Sequence, residues 1–402
     1  MINFPKNFLW GASTSAYQIE GGITNDWSEW EKSQNRQEQL RSEGRDPQEY
    51  ICGSACDSYN RWKEDIDLVE GLNCNSYRFG IEWARIEPRE GEWQEREIDH
   101  YKKILQELKS RNITTVVTLW HWTNPLWLVN KGGWSDRQVV ECFSRYTEKI
   151  VEELGDLVDY WVTLNEPMVH VVNGYVTAKF PPNKKNLFQA NKVFKHLVKA
   201  HRQAYRIIHD KYPDAQVSIT KLTNDFEPAR KWCPVERIVA GIAHYLWNDR
   251  LMKKIKNYLD YIGLDYYFHN RIIWRPPFKE NSNEKVTDMG WEIYPRGIYN
   301  VLKYLTKYQK PIIILENGLA DIEDKYRTDF IKDHLYYVHQ AIQEGVDVRG
   351  YFYWSLLDNF EWAEGFWPKF GLYEVDRSTM ERKMRPSGEV YARICQSNQI
   401  DF

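Results

Sequence analysis

Short apolar runs alternate along the chain with stretches in which apolar residues return every three or four positions. Residues 8–13, 75–79, 114–119, 159–164, 216–220, 261–266, 311–315 and 348–354 are dense in aliphatic, β-branched and aromatic side chains, the pattern of short buried strands. Between them, Ile98, Tyr101, Leu105 and Leu108 recur at helical spacing. So do Val193, Leu197, Ala200, Ala204 and Ile207, and again Ile331, Leu335, Val338 and Ile342. Further helices are expected near residues 59–70, 137–154 and 296–308. Residues 25–57 are polar and charged with little periodicity and read as a long loop over one face. Eight strands separated by helices predict an α/β chain folded as a closed parallel (β/α)8 TIM barrel. No Pro/Ser/Gly-rich linker or low-complexity tract interrupts it, so residues 1–402 are expected to form one domain.

Two strand ends carry carboxylates. Residues 159–164 lead into Asn165-Glu166-Pro167, and Pro167, which lacks a backbone donor, should turn the chain out of the strand. The continuously apolar 311–315 leads into Glu316-Asn317-Gly318. Glu166 and Glu316 are thus expected on the carboxyl-end rim of one barrel. Acids raised in that way are what cleavage of a glycosidic bond requires.

Composition narrows the reading further. A formal net charge of −3 gives no electrostatic attraction to nucleic acid or to an anionic membrane. No apolar run approaches the length of a membrane-spanning helix. No charged-then-apolar leader precedes the first strand, so a cytoplasmic protein is expected. The six cysteines are scattered without a C-x-x-C pair, which suits reduced, buried thiols better than a metal site. The 18 Trp and 26 Tyr are many for 402 residues. They imply a large aromatic core and, in part, rings lining a cleft suited to sugar faces.

Several motifs, in order, resemble family 1 of the glycoside hydrolases, the β-glucosidase family, along almost the entire chain. They are Phe8-Leu9-Trp10-Gly11-Ala12-Ser13 through Tyr17-Gln18-Ile19-Glu20-Gly21 near the start, Tyr77-Arg78-Phe79-Gly80-Ile81-Glu82-Trp83 at the second strand, and Thr163-Leu164-Asn165-Glu166-Pro167. Glu316-Asn317-Gly318 and Trp354-Ser355-Leu356-Leu357-Asp358-Asn359-Phe360-Glu361-Trp362 follow. Each motif is weak alone; their order is specific.

The resemblance implies a retaining exo-β-glycosidase acting on terminal β-D-glucosyl residues, with tolerance for galactosides or fucosides, and needing neither cofactor nor metal. Its partners would be small β-glycosides or short oligosaccharides. Glu166 would be the general acid/base and Glu316 the nucleophile, with Arg78 and Tyr267 holding Glu316 anionic. Asn165 would bind the sugar 2-hydroxyl. Gln18, His121, Glu361 and Trp362 would hold other hydroxyls, Trp354 would floor the ring, and Trp122 is divided between core packing and sugar contact. Two carboxylates about 5 Å apart suit retention, because one attacks the anomeric carbon while the other protonates the leaving oxygen. Glu361-Trp362-Ala363 argues against a 6-phosphoglycosidase, and Glu166 against the thioglucosidase variant.

The chain also departs from the family pattern. Asp265 precedes Tyr266-Tyr267 where Asn is usual, and Asn124 yields no specificity argument. The stretch between the fifth and sixth strands is short for the family, and Asn224 there is a candidate contact on the aglycone side. Competing readings are a catalytically silent sugar-binding protein on the same fold, which both carboxylates oppose, and a transglycosidase. Oligomeric state and natural aglycone are not legible.

Overall fold

The computed structural model describes residues 1–401. All eight expected strands form: β1 (Leu9–Ser13), β2 (Ser76–Gly80), β3 (Thr114–Thr118), β4 (Tyr160–Val162), β5 (Gln216–Ser218 and Thr220–Leu222), β6 (Ile262–Asp265), β7 (Ile312–Asn317) and β8 (Val348–Trp354). Each pairs in parallel with its neighbours in chain order, and β8 pairs back onto β1 through Gly350↔Leu9 to Trp354↔Ser13. β5 is broken at Ile219. Its first half pairs with β4 and its second half with β6, so the TIM barrel closes through a strand divided between two partners.

Parallel strands sandwiched between helices and the barrel axis are buried on both faces, which is why they read as unbroken apolar runs rather than alternating ones. Inside, Val116, Val162, Tyr261, Ile313, Leu315 and Phe352 form a closed cluster. Gly11 makes room for it: a Cβ there would lie 2.4 Å from the Phe352 ring. Outside, helix Glu95–Ser110 turns Ile98, Tyr101, Leu105 and Leu108 against the sheet, and helix Val139–Leu154 does the same with Val140, Phe143, Ile150 and Leu154. No helix among the described residues is long and apolar enough to cross a membrane.

Residues 25–57 are not the loop their polarity suggests. They fold as helices Asp26–Lys32 and Gln34–Ser42 and a 3-10 turn Pro47–Tyr50. The start is fixed by a reciprocal cap, in which the Asn25 side chain accepts from Ser28 N and Ser28 Oγ accepts from Asn25 N, both at 3.0 Å. Buried Trp27 anchors the segment against Phe180 and Trp362. Two strand ends also differ from expectation. β7 continues through Glu316 and Asn317, so Glu316 sits in the strand itself, and β5 runs on to Leu222, carrying Lys221 to the rim.

Candidate active site

The carboxyl ends of the strands open into a cavity of about 520 Å³. Glu166, Glu316, His121, Trp122, Tyr267, Trp354, Glu361 and Trp362 all line it, as does Asn224. Arg78, Asn165 and Gln18 are not in the wall; all three are fully buried behind it.

Glu166 is delivered by a strained turn. Beyond β4 the backbone keeps strand-like bonds to both neighbours, Thr163 N to Ser218 O and Asn165 N to Trp120 O, each 2.9 Å. Glu166 then adopts the left-handed region at φ 38°, ψ 57°, and Pro167 opens helix Pro167–Tyr175. Proline is favoured at a helix's first position because its missing N–H has no partner there. A non-glycine residue in this conformation costs on the order of 1–2 kcal/mol. Glu166 is held in it by its amide, which donates to both Oγ1 and O of Thr220, at 3.1 and 3.2 Å.

Arg78, on β2, organises the opposite wall. Its Nη1 donates to Glu316 Oε1 and its Nη2 to Asn165 Oδ1, both at 2.5 Å, and its Nε to Thr118 Oγ1 at 3.1 Å. Burial works against the guanidinium's charge, but Glu316 and Asp265 more than offset it and hold its pKa above the usual value. The Tyr267 hydroxyl donates to the second oxygen of Glu316 at 2.7 Å. Both Glu316 oxygens therefore face donors, one of them a buried cation.

Glu166 has the opposite surroundings. Its Oε1 is buried without a hydrogen-bond partner. Burial pushes its pKa well above the usual carboxyl value, and the charges of Asp265 and Glu316 push it further. Carboxylate oxygens of Glu166, Asp265 and Glu316 all lie within 4.8 Å of one another. One charged and one proton-holding carboxyl at that spacing can carry out attack and proton donation on a single bond, the separation of a retaining pair. Three carboxylates also form a hard-oxygen ligand set, but both Glu316 oxygens already accept hydrogen bonds, from Arg78 and Tyr267, with which a cation would compete.

The polar wall is poised to donate. Asn165 Oδ1 already accepts from Arg78 and from Thr220 Oγ1, the latter at 2.7 Å, which fixes the amide's orientation. Its Nδ2 must then donate to His121 Nε2, 2.9 Å away, leaving the proton of the imidazole on Nδ1. Burial, and then Arg78, keep His121 neutral by lowering its pKa well below the usual value. Its Nδ1 is buried and unpartnered beside the cavity. Glu361 is pushed up to about 8, first by burial and then by the charge of Glu316. Gln18 stands behind it, with Nε2 bonded to Phe360 O at 2.8 Å and Asn359 Oδ1 at 3.0 Å and reaching Glu361 Oε2 at 3.4 Å.

Trp122 is both packed and presented to the cavity. It lines the cavity, packs on Trp362 at 4.8 Å, and donates its indole N–H to Asn165 O at 3.0 Å. Asn124 is a brace: its Oδ1 accepts from the indoles of Trp120 and Trp134, and its Nδ2 donates to Asp26 at 2.7 Å. The sequence reading missed four aromatic residues that also line the cavity, Phe226, Trp247, Phe268 and Trp291. It also missed Lys221, buried at the end of β5 with its amine pushed down to about 7 by burial. The signal for Lys221 is a lone cation directly after a β-branched strand.

Comparison with known proteins agrees with this geometry. The family model "Glycosyl hydrolase family 1" matches residues 1–241 and 236–400. Beta-glucosidase A of Thermotoga maritima is 34% identical over 447 aligned positions, covering 99% of both chains. The beta-glycosidase of Pyrococcus horikoshii superposes with a TM-score of 0.90 at 39% identity, covering 100% of this chain and 96% of that one. The Thermotoga maritima beta-glucosidase in complex with glucoimidazole gives 0.91 at 32% identity, covering both chains fully. Barrel, rim carboxylates and family model converge: the chain belongs to glycosyl hydrolase family 1.

Proposed function

We propose that this family 1 glycoside hydrolase, a retaining enzyme, removes terminal non-reducing β-D-glucosyl residues from small β-glycosides or short oligosaccharides, with galactosides and fucosides as weaker substrates. The observation that carries the reading is the asymmetric carboxyl pair, with Glu316 held at both oxygens by Arg78 and Tyr267 and Glu166, its Oε1 without a partner, within 4.8 Å of it.

In the proposed cycle Glu316 attacks the anomeric carbon as the bond to the aglycone oxygen breaks, and Glu166 gives that oxygen its proton. Esterification removes the Glu316 charge, so Glu166, now ionised, takes a proton from water as the water attacks the same carbon from the opposite face. Sugar is released and both carboxyls return to their first states. His121 Nδ1–H and Glu361 address sugar hydroxyls directly, and Trp354 lies under the ring. Asn165 and Gln18 turn amide hydrogens toward the sugar that otherwise serve His121 and Glu361. The 2-hydroxyl contact of Asn165 tightens as positive charge develops at the ring. Phe226, Trp247, Phe268 and Trp291 receive the aglycone.

The whole of residues 1–402 is read as one catalytic domain, working in the cytoplasm. In support, the six cysteines are all free and buried. The test is a panel of aryl β-glycosides and cello-oligosaccharides compared by kcat/KM, with the first-formed sugar anomer read by NMR. Turnover highest on β-glucosides with the β-anomer released first is expected. Absence of turnover across acid to neutral pH, or an α-anomer product, would refute it.

A further inference from the structure

Asp265 ends β6, in register with Glu316 on one side and Leu222 on the other. It is fully buried, no ion pair reaches it among the described residues, and the side chains within hydrogen-bonding reach of its carboxyl are those of Thr220 and Glu166. The one nearby guanidinium, Arg78, is already bound to Glu316 and Asn165. The nearby amine, Lys221, donates to Leu222 O and lies over the Trp247 ring, 5.5 Å from its centre. The remaining ionisable neighbours are Glu166 at the end of β4, Glu316 on β7 and Tyr267 just after β6, whose hydroxyl is committed to Glu316. The Thr220 hydroxyl already donates to Asn165 Oδ1 at 2.7 Å, and a buried carboxylate left with neither a free donor nor a cation is not held as an anion. Two carboxyls with oxygens within 4.8 Å cannot both be ionised cheaply, and a shared proton resolves the conflict.

We propose that Asp265 is a positioning residue for the acid/base step, forming with Glu166 a hydrogen-bonded carboxyl pair that gives up one proton and regains it during the cycle. This rests on the reading of Glu166 as acid/base. At rest Glu316 is anionic and the pair carries two protons. When Glu166 passes its proton to the leaving oxygen and Glu316 becomes an ester, the pair keeps one proton. Asp265 then donates a hydrogen bond to the Glu166 anion and steadies it as the base. Water attack returns the second proton to Glu166 and the negative charge to Glu316, so protons and charge balance. Burial first, and then the charge of Glu316, push the Asp265 pKa well above its usual value, in keeping with this assignment. In a coupled pair the observed pKa values belong to both groups, and Glu166 stays partly protonated until the second proton leaves.

The experiment is the pH profile of kcat/KM for D265N with two substrates. With an alkyl β-glucoside, whose leaving group needs an acid, the basic limb is expected to move toward acid by about one pH unit or more. With a dinitrophenyl β-glucoside, which needs none, the profile should keep its wild-type shape; a merely structural defect would lower both equally and shift neither. A basic limb coincident with the wild type overturns the proposal. The wild-type enzyme gives an independent answer by infrared difference spectroscopy with 13C-labelled aspartate, recorded as Glu316 is esterified by a 2-deoxy-2-fluoroglucoside. A changing protonated-aspartyl C=O stretch is expected, and a response from ionised aspartate alone would refute it. Failure of the parent reading looks different: E166A would then lose activity equally on both substrates, whatever D265N does.

Discussion

Replacing Glu166 with alanine separates proton donation from the rest of the chemistry. At 4.8 Å and an effective dielectric near 20, the repulsion between Glu316 and an ionised Glu166 is about 3.5 kcal/mol. That repulsion opposes loss of the Glu166 proton before reaction and vanishes once Glu316 is esterified. The proton is therefore available for the first step and absent for the second. General acid catalysis contributes typically 10²–10⁴-fold. E166A should lose about that factor in kcat/KM on methyl β-glucoside or cellobiose, whose leaving groups need the proton, and less than about tenfold on dinitrophenyl β-glucoside, whose leaving group does not. Stability should change little, because the Glu166 Oε1 removed has no hydrogen-bond partner and the side chain faces a cavity rather than packed core. Azide fits the space vacated and should yield the β-glucosyl azide from the glycosyl-enzyme. Steady-state kinetics across a leaving-group series, with a thermal melt beside them, decide it. Equal losses on good and poor leaving groups would refute the acid assignment.

E316A should have no measurable turnover, and added azide or formate should restore some with inversion; an azide product of β configuration would contradict the nucleophile assignment. R78M should cost about 3–5 kcal/mol in urea unfolding, since it leaves Glu316 buried without its cation, and a loss under 1 kcal/mol would show the pair to be dispensable. Stability should also follow pH in a defined way. Asp26, Glu31 and Glu82 are pushed up to about 7 and Glu361 to about 8, chiefly by burial. The folded state binds more protons than the unfolded at these sites from about pH 4 upward, so each weakens the fold as pH rises toward its folded pKa. His170, His201 and His334 are pushed down to about 3 by burial, so they favour folding increasingly from about pH 3 to 6.5. Glu166 and Asp265 add to the acids and His121 to the histidines, while Lys221, pushed down to about 7, favours folding increasingly above that pH; the melting temperature should therefore change little from about pH 4.5 to 6, fall toward pH 7 and fall below pH 4.5, and a rise between pH 6 and 7 would contradict the burial of these acids.

The strands were legible because a parallel barrel buries both faces of each one, leaving runs such as Pro311-Ile312-Ile313-Ile314-Leu315 with no polar interruption. Their ends placed Glu166 and Glu316 on one rim, and the order of the motifs located the residues around them. Helices 26–32 and 34–42 were not legible. Their exposed positions are polar and their stability comes from a cap at Asn25 and the long-range burial of Trp27, neither of which leaves a period in the sequence. The break at Ile219 was hidden for a similar reason, since it arises from pairing one strand with two partners of different register. Asn124 could not be assigned because its role lies in two indoles and one carboxyl from separate segments. Asp265 was visible as an unusual residue, but its approach to Glu166 depends on how β4 and β6 flank the split strand.

The most direct test of the account is to incubate the enzyme with a dinitrophenyl 2-deoxy-2-fluoro-β-glucoside, digest it, and locate the sugar by peptide mass spectrometry. One fluoroglucosyl group per chain on the peptide bearing Glu316 is predicted, with its formation lost in E316A and retained in E166A. A label on Glu166 or Asp265, or none at all despite turnover of the unfluorinated substrate, would contradict it.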